Sequence, residues 1–161
     1  MNNENSISKP YVISVSVLTF ILPVICVIVD MLTGGGKAFS FDLLGKWFIF
    51  SAVGLRLLLA GIKQTTNPAF TAKTIFQIEQ KDVLPIVREL GFANICFGLI
   101  GIVSLFLPGW RIVSAFGSGL YYGIAGLQHI IKRPAGANEK FALITDILIF
   151  IILLVFFVKM I

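Results

Sequence analysis

Long apolar runs restrict what this chain can fold into more than any other feature of its sequence. Each run holds about 20 residues, the length of a helix that crosses the hydrocarbon core of a bilayer. Because the runs are continuous rather than alternating, they favour helices over a transmembrane barrel. The predicted fold is an all-α, polytopic membrane protein, one domain over residues 1–161. The five predicted transmembrane helices cover about 11–32, 43–62, 85–106, 110–131 and 141–158.

Composition supports this class. Charged residues make up only 13% of the chain, against about 25% in a typical soluble domain, so a water-facing surface could not be covered. The net charge of +5 does not indicate nucleic-acid binding, because the cations flank the apolar runs instead of clustering on one soluble face. The expected partner is therefore the lipid bilayer, and a homo-oligomer or a larger membrane complex remains open.

The connections between the runs are short and polar. Asn67 and Pro68 are typical of a helix start, which predicts a short surface helix near 68–81, with a plain connector as the alternative. Residues 1–10 are expected to be loose and water-facing, and glycines 34–36 to end the first helix.

The distribution of cations predicts the orientation of the chain. An excess of Lys and Arg marks the cytoplasmic side. The N-terminal side is expected to carry seven cations and the opposite side four, which places the N-terminus in the cytoplasm and the protein in the cell inner (plasma) membrane. The seven are Lys9, Lys63, Lys73, Lys81, Lys132, Arg133 and Lys140, and the four are Lys37, Lys46, Arg111 and Lys159.

Several polar residues interrupt the apolar runs, and such residues are costly in lipid unless they have a partner or a function. With the predicted topology they all fall in the cytoplasmic half of the bundle, and Tyr122 shares a helical face with His129. Arg56 is expected to pair with Glu89 or Asp146, since pairing offsets two desolvation costs. The candidate ligand or proton site comprises Arg56, Glu89, Asn94, Tyr122, His129 and Asp146.

Glycines in the third and fourth runs predict close helix packing, because small residues let helix backbones approach each other in lipid. The two helices are joined by a short turn, so we expect their glycines to face each other in an antiparallel hairpin. The packing candidates are Gly91, Gly98 and Gly101 on the third run, and Gly119, Gly123 and Gly126 on the fourth.

Three kinds of function fit these observations. The first is a protein that binds or conducts a small molecule, a proton or a cation, with Asp146 and Glu89 as responsive groups and Arg56 as counter-ion. The second is a structural or accessory subunit of a membrane complex, in which buried ion pairs only fix the helix packing. The third is a membrane enzyme or quinone-linked redox partner, which lacks any nucleophile–base spacing, so no catalytic residue is assigned. A metal site is not predicted, because one histidine without a second ligand at metal-binding spacing is a weak signal. No cofactor can be named.

Three short motifs resemble a known family. The sequence RELGFAN at 88–94 is followed by Gly98, then by GLQHI at 126–130 and TDIL at 145–148. In this order the motifs are similar to those of small prokaryotic membrane proteins grouped as a domain of unknown function, and the resemblance spans about 67–154.

The resemblance implies a membrane-embedded bundle and adds weight to Glu89, Asn94, His129 and Asp146 as a set, without naming a task for them. One departure is that the usual GHI of the family reads Leu-Gln-His at 127–129 here. More distantly, the bundle is similar to DoxX-like proteins, which implies a link with quinone or redox partners.

Overall fold

The computed structural model describes residues 7–34, 39–134 and 136–161. Most of the predicted loose N-terminal segment and of the glycine turn lies outside these residues, although the first helix already begins at Lys9. In the described part of the chain all regular structure is helical, with a 3-10 turn at Lys81–Val83 before α4. The helices are α1 (Lys9–Thr33), α2 (Phe41–Thr66), α3 (Pro68–Thr74), α4 (Leu84–Phe106), α5 (Trp110–Lys132) and α6 (Ala137–Met160).

Four of these helices are long and apolar enough to cross a membrane: α1, α2, α4 with its preceding turn, and α6. Helix α5 has 23 residues, which is sufficient length, but its serines, tyrosines and glycines lower its hydropathy. The all-helical prediction is confirmed, whereas the count of five spans is not. The observed helix boundaries lie within about four residues of the predicted ones.

The connection between α2 and α4 is less helical than predicted. Asn67 caps α3 by accepting a hydrogen bond from the Phe70 amide at 3.3 Å, as expected for an asparagine before a proline at the helix start. The helix then ends at Thr74 instead of continuing to residue 81. Gln77 follows with a positive φ of 57°, a conformation that a regular helix does not contain.

Helix packing differs from the predicted hairpin of glycines. The glycines of α4 face α2: a Cβ on Gly98 would lie 2.5 Å from the Leu58 amide nitrogen, and one on Gly101 would lie 2.6 Å from the Gly54 nitrogen. A Cβ on Gly91 would likewise lie 2.9 Å from Gln64 Cβ. These close approaches bring the backbones of α2 and α4 together in an antiparallel arrangement.

The glycines of α5 face α6. A Cβ on Gly126 would lie 2.5 Å from Ile147 Cδ1, and one on Gly123 would lie 2.9 Å from the Phe150 ring, while Gly119 has only ordinary contact distance to α6. The prediction that the two glycine sets pair with each other is therefore wrong. Large aromatic side chains fill the space between α4 and α5 instead; the Phe97 and Tyr121 rings stack at 4.9 Å.

Ion pairs hold the end of the bundle where α1 ends and α2 and α5 begin. Asp30 accepts hydrogen bonds from Lys46 Nζ at 2.6 Å and from Trp47 Nε1 at 2.8 Å. Arg111 Nη1 contacts both carboxylate oxygens of Asp42, at 2.9 and 2.7 Å. These pairs join α2 to α1 and to α5, and they leave the bundle interior to a different set of polar groups.

Candidate functional site

A buried ion pair between α2 and α6 forms the centre of the candidate site. Arg56 Nη2 donates to Asp146 Oδ1 at 2.8 Å and to Thr145 Oγ1 at 3.0 Å. The two charged side chains are only 8% and 11% exposed. Of the two pairings expected for Arg56, the structure contains the one with Asp146.

The aromatic ring of Tyr122 covers the guanidinium from α5. Its centroid lies 5.2 Å from Arg56 Cζ, within the range of a cation–π interaction. The Tyr122 hydroxyl donates to the Ala52 carbonyl at 2.9 Å. Ala52 lies in the segment Ile49–Leu55, where α2 widens into a π-helix directly before Arg56. Such widened turns displace backbone carbonyls and occur frequently at functional sites.

One nitrogen of the buried guanidinium has no hydrogen-bond partner among the residues that the structure describes. Arg56 Nη1 is inaccessible to solvent and bonds to none of them, although Nη2 makes two hydrogen bonds. Leaving a buried charged donor unpaired costs at least about 1–3 kcal/mol. The Arg56–Asp146 pair therefore retains hydrogen-bonding capacity that the surrounding helices do not use.

A second polar cluster lies where α5 passes into α6. His129 Nδ1 is 3.3 Å from Glu139 Oε1, and Lys132 Nζ donates to the same oxygen at 3.1 Å. Glu139 is fully buried, whereas the Lys132 side chain is 41% exposed. Lys132 also donates to the Phe76 carbonyl at 3.1 Å, which ties this cluster to the connection after α3.

Glu139 is not among the candidates that the sequence predicts, because the last apolar run is predicted to begin at residue 141 and Glu139 precedes it. In the structure α6 begins at Ala137, and Glu139 occupies its first turn, where a carboxylate interacts favourably with the helix dipole. Its position seven residues before Asp146, close to two helical turns, is the signal that could have revealed it.

The RELGFAN segment contributes a separate contact. Asn94 is buried, and its Nδ2 donates to Gln64 Oε1 at 2.6 Å, joining α4 to α2. Glu89 is exposed on the surface of α4 and does not join the Arg56 centre. This division agrees with the spacing of Glu89 and Asn94, which places them about 140° apart around the helix. Arg88 is also exposed and donates to the Thr65 carbonyl at 3.4 Å.

The six predicted site residues thus divide into four groups. Arg56, Tyr122 and Asp146 form the centre, and His129 lies beside it with Glu139. Asn94 belongs to the α2–α4 contact, and Glu89 is separate from the other five.

An apolar cavity of about 240 Å³ lies away from these polar groups, between the start of α2 and the end of α6. Its walls include Phe41, Phe48 and Phe156, and it does not border Arg56. Among the residues that the structure describes, no group of three or more His, Cys, Asp or Glu side chains could hold a metal ion. Among the described residues, the buried carboxylates are Asp146 and Glu139, and each belongs to one of the two clusters.

Comparison with known proteins identifies the family and leaves its activity open. Neither the curated proteins nor the solved structures gave a match to the chain. The likeness to DoxX-like proteins has no support from these comparisons and stays a prediction. One family matches residues 13–160, which is nearly the whole chain and includes all the polar groups described above. The chain belongs to this family, described as "Family of unknown function (DUF6790)".

Proposed function

We propose that the protein is a five-span membrane protein that binds a proton at Asp146, with Arg56 as counter-ion. Neutralising Asp146 would free Arg56 Nη2, and together with Nη1 this would give the guanidinium two donors for a small polar solute. Guanidinium groups suit such ligands, because their planar fork matches carboxylate and phosphate oxygens. The function is therefore proton-responsive binding or conduction.

The unpartnered Arg56 Nη1 is the observation that carries this proposal. An ion pair that served only to lock helix packing would be most stable with every donor satisfied. Membrane-embedded ions are costly, and they commonly mark ion pathways or ligand sites. A half-satisfied guanidinium inside the bundle fits a site that exchanges partners better than it fits a permanent lock.

Five spans follow from treating α5 as membrane-embedded. Its 23 residues reach about 34 Å, enough to cross the hydrocarbon core. Its contact with the apolar helix α6 runs from Gly119 to Gly126. The polar side chains that lower its hydropathy are largely buried, among them Ser114, Ser118 and Tyr122. The cation distribution then supports a cytoplasmic N-terminus in the inner membrane.

The structural-subunit alternative has less support. It relied on glycine seams for association, but Gly91, Gly98 and Gly101 contact α2, and Gly123 and Gly126 contact α6. These seams are occupied within the chain and do not remain for a partner. No observation favours a quinone-linked role.

Infrared titration of the purified full-length protein in lipid nanodiscs tests the binding centre. We expect the difference between wild-type and Asp146→Asn spectra to contain a protonated-carboxyl band that grows as pH falls. Glu79→Gln removes an exposed carboxylate of the α3–α4 connection and should leave this band unchanged. If Asp146→Asn folds and its titration equals that of the wild type, Asp146 does not bind a proton and the pair is a packing lock.

Reporter fusions at the two termini test the span count separately. An odd number of crossings places the termini on opposite sides of the membrane, and an even number places them on the same side. We expect a cytoplasmic reporter to be active at the N-terminus and an exported reporter at the C-terminus. Activity of the same reporter type at both ends would exclude five spans.

A further inference from the structure

The two polar clusters lie on one face of α6. Glu139 and Asp146 are seven residues apart, so they point in nearly the same direction and are separated by about 10 Å along the helix axis. Between them Ala142 and Thr145 are buried as well, with exposures of 5% and 1%. This face of α6 therefore carries two buried carboxylates, one near the helix start and one two turns further into the bundle.

His129 lies between these carboxylates. The contacts of Gly126 with Ile147 and of Gly123 with Phe150 fix the antiparallel register of α5 on α6. Continued by one turn, this register places His129 opposite the part of α6 between Glu139 and Asp146. Nδ1 of His129 is 3.3 Å from Glu139 Oε1, and the same register sets the imidazole opposite residue 144 of α6, two residues before Asp146.

The end of this cluster at Lys132 reaches the protein surface. Lys132 is 41% exposed and bonds to Glu139, whose own carboxylate is fully buried. Among the described residues, the charged groups along this face of α6 are Glu139 with Lys132, beside the imidazole, and Asp146 with Arg56 of α2.

We infer that Lys132, Glu139 and His129 form a proton relay that connects water at this end of the bundle with Asp146. This inference rests on the proposed function and adds the route by which the proton arrives. Imidazole suits the central position, because it has two ring nitrogens and can accept a proton on one while releasing another.

In this relay a proton reaches Asp146 by successive transfers between neighbouring groups. An N–H bond of the Lys132 ammonium breaks as an O–H bond forms on Glu139, and Lys132 regains its proton from water. The Glu139 proton passes to His129 Nδ1, and the proton on the other ring nitrogen passes to Asp146, whose carboxylate becomes neutral. The net change is one proton moved from water to Asp146, with the tautomer of His129 inverted. Rotation of the ring or reverse transfer restores it.

Glu139 also suits a purely structural role, as a capping residue at the start of α6. A carboxylate at the third position of a helix can satisfy backbone amides of the first turn. Glutamine serves the same capping purpose but cannot carry a proton between the two neighbours. Glu139→Gln therefore keeps the cap and removes the relay.

The test measures how fast Asp146 becomes protonated after a rapid pH drop, by time-resolved infrared spectroscopy in nanodiscs. We expect Glu139→Gln and His129→Gln to slow the rise of the Asp146 carboxyl band at least about tenfold, as for loss of a positioned acid–base group. The final amplitude of the band should be kept. Glu79→Gln, which removes an exposed carboxylate, should match the wild-type rate.

The outcomes separate the relay from the binding centre. If both variants fold and protonate Asp146 at the wild-type rate, the relay is wrong while the proposed function stands. If the wild type shows no Asp146 band at any pH at which it is folded, the binding centre itself is wrong and the relay falls with it. If Glu139→Gln does not fold, the same comparison is made with His129→Gln, whose rate then decides.

Discussion

Substitution of Gly98 by alanine tests the helix packing that positions Arg56. The added Cβ would lie 2.5 Å from the Leu58 nitrogen, 2.8 Å from the Leu58 Cα and 2.9 Å from the Gly54 carbonyl oxygen. All three are backbone atoms of α2, so no side-chain rotation can relieve the contact. The two helices must separate, and α2 carries Arg56 with it.

The size of the effect follows from this geometry. The closest contact is about 1 Å shorter than ordinary van der Waals distance, so the helices must separate by a comparable distance. A gap of about 0.5–1 Å between them loses about a quarter to a half of the energy of each dispersion contact. Overpacking of this kind typically costs about 1–3 kcal/mol. Alanine also gains up to about 1 kcal/mol over glycine in helix propensity, which partly offsets the loss. A matched glycine substitution is therefore required.

Gly119→Ala is the matched control, because its Cβ would meet Leu153 Cβ at an ordinary 3.4 Å and it receives the same propensity gain. Equilibrium unfolding in mixed micelles, followed by circular dichroism, should show Gly98→Ala to be about 1–3 kcal/mol less stable than Gly119→Ala. Equal stability of the two variants would refute the close approach of α2 and α4 at Gly98.

Three further substitutions test two individual hydrogen bonds of the bundle. Asn94→Leu and Gln64→Leu, combined in a double-mutant cycle of unfolding free energies, should give a coupling of about 0.6 kcal/mol, the mean for hydrogen bonds between membrane helices. A coupling of zero would contradict the 2.6 Å hydrogen bond between the two side chains. Tyr122→Phe keeps the ring over Arg56 but loses the donor to the Ala52 carbonyl, so the free energy of unfolding should fall by about 1 kcal/mol. Unchanged stability of Tyr122→Phe would mean that this carbonyl finds another donor.

The helices could be predicted from the sequence because lipid imposes a simple rule. A run of about 20 apolar residues must form a helix with all its backbone groups paired, and this rule does not depend on the neighbours. The pairing of helices could not be predicted in the same way. The glycines of α4 allow close approach by any helix that fits against them. In the structure that helix is α2, which contacts them at Gly54 and Gly61.

The ion pair was predictable only as a set of alternatives. Depth in the membrane placed Arg56, Glu89 and Asp146 at similar levels, but depth does not specify the direction of a side chain. In the structure Glu89 is exposed on α4, while Asn94, about 140° away, is buried against Gln64. Identifying the partner of Arg56 required the rotation of each helix about its axis, which depends on packing.

Glu139 was missed as a site candidate because the predicted start of α6 is four residues too late. When α6 is taken to begin at residue 141, this carboxylate belongs to a water-exposed connection and needs no explanation. When α6 begins at Ala137, Glu139 falls on the same face as Asp146, two turns away. With the predicted helix start, Asp146 is the one carboxylate on this face of α6. With the observed start, four residues earlier, Glu139 shares the face with it and His129 lies opposite the segment between them. Because the ends of helices are the least certain part of a sequence-based prediction, polar residues just outside an apolar run should be tested for periodicity with those inside it.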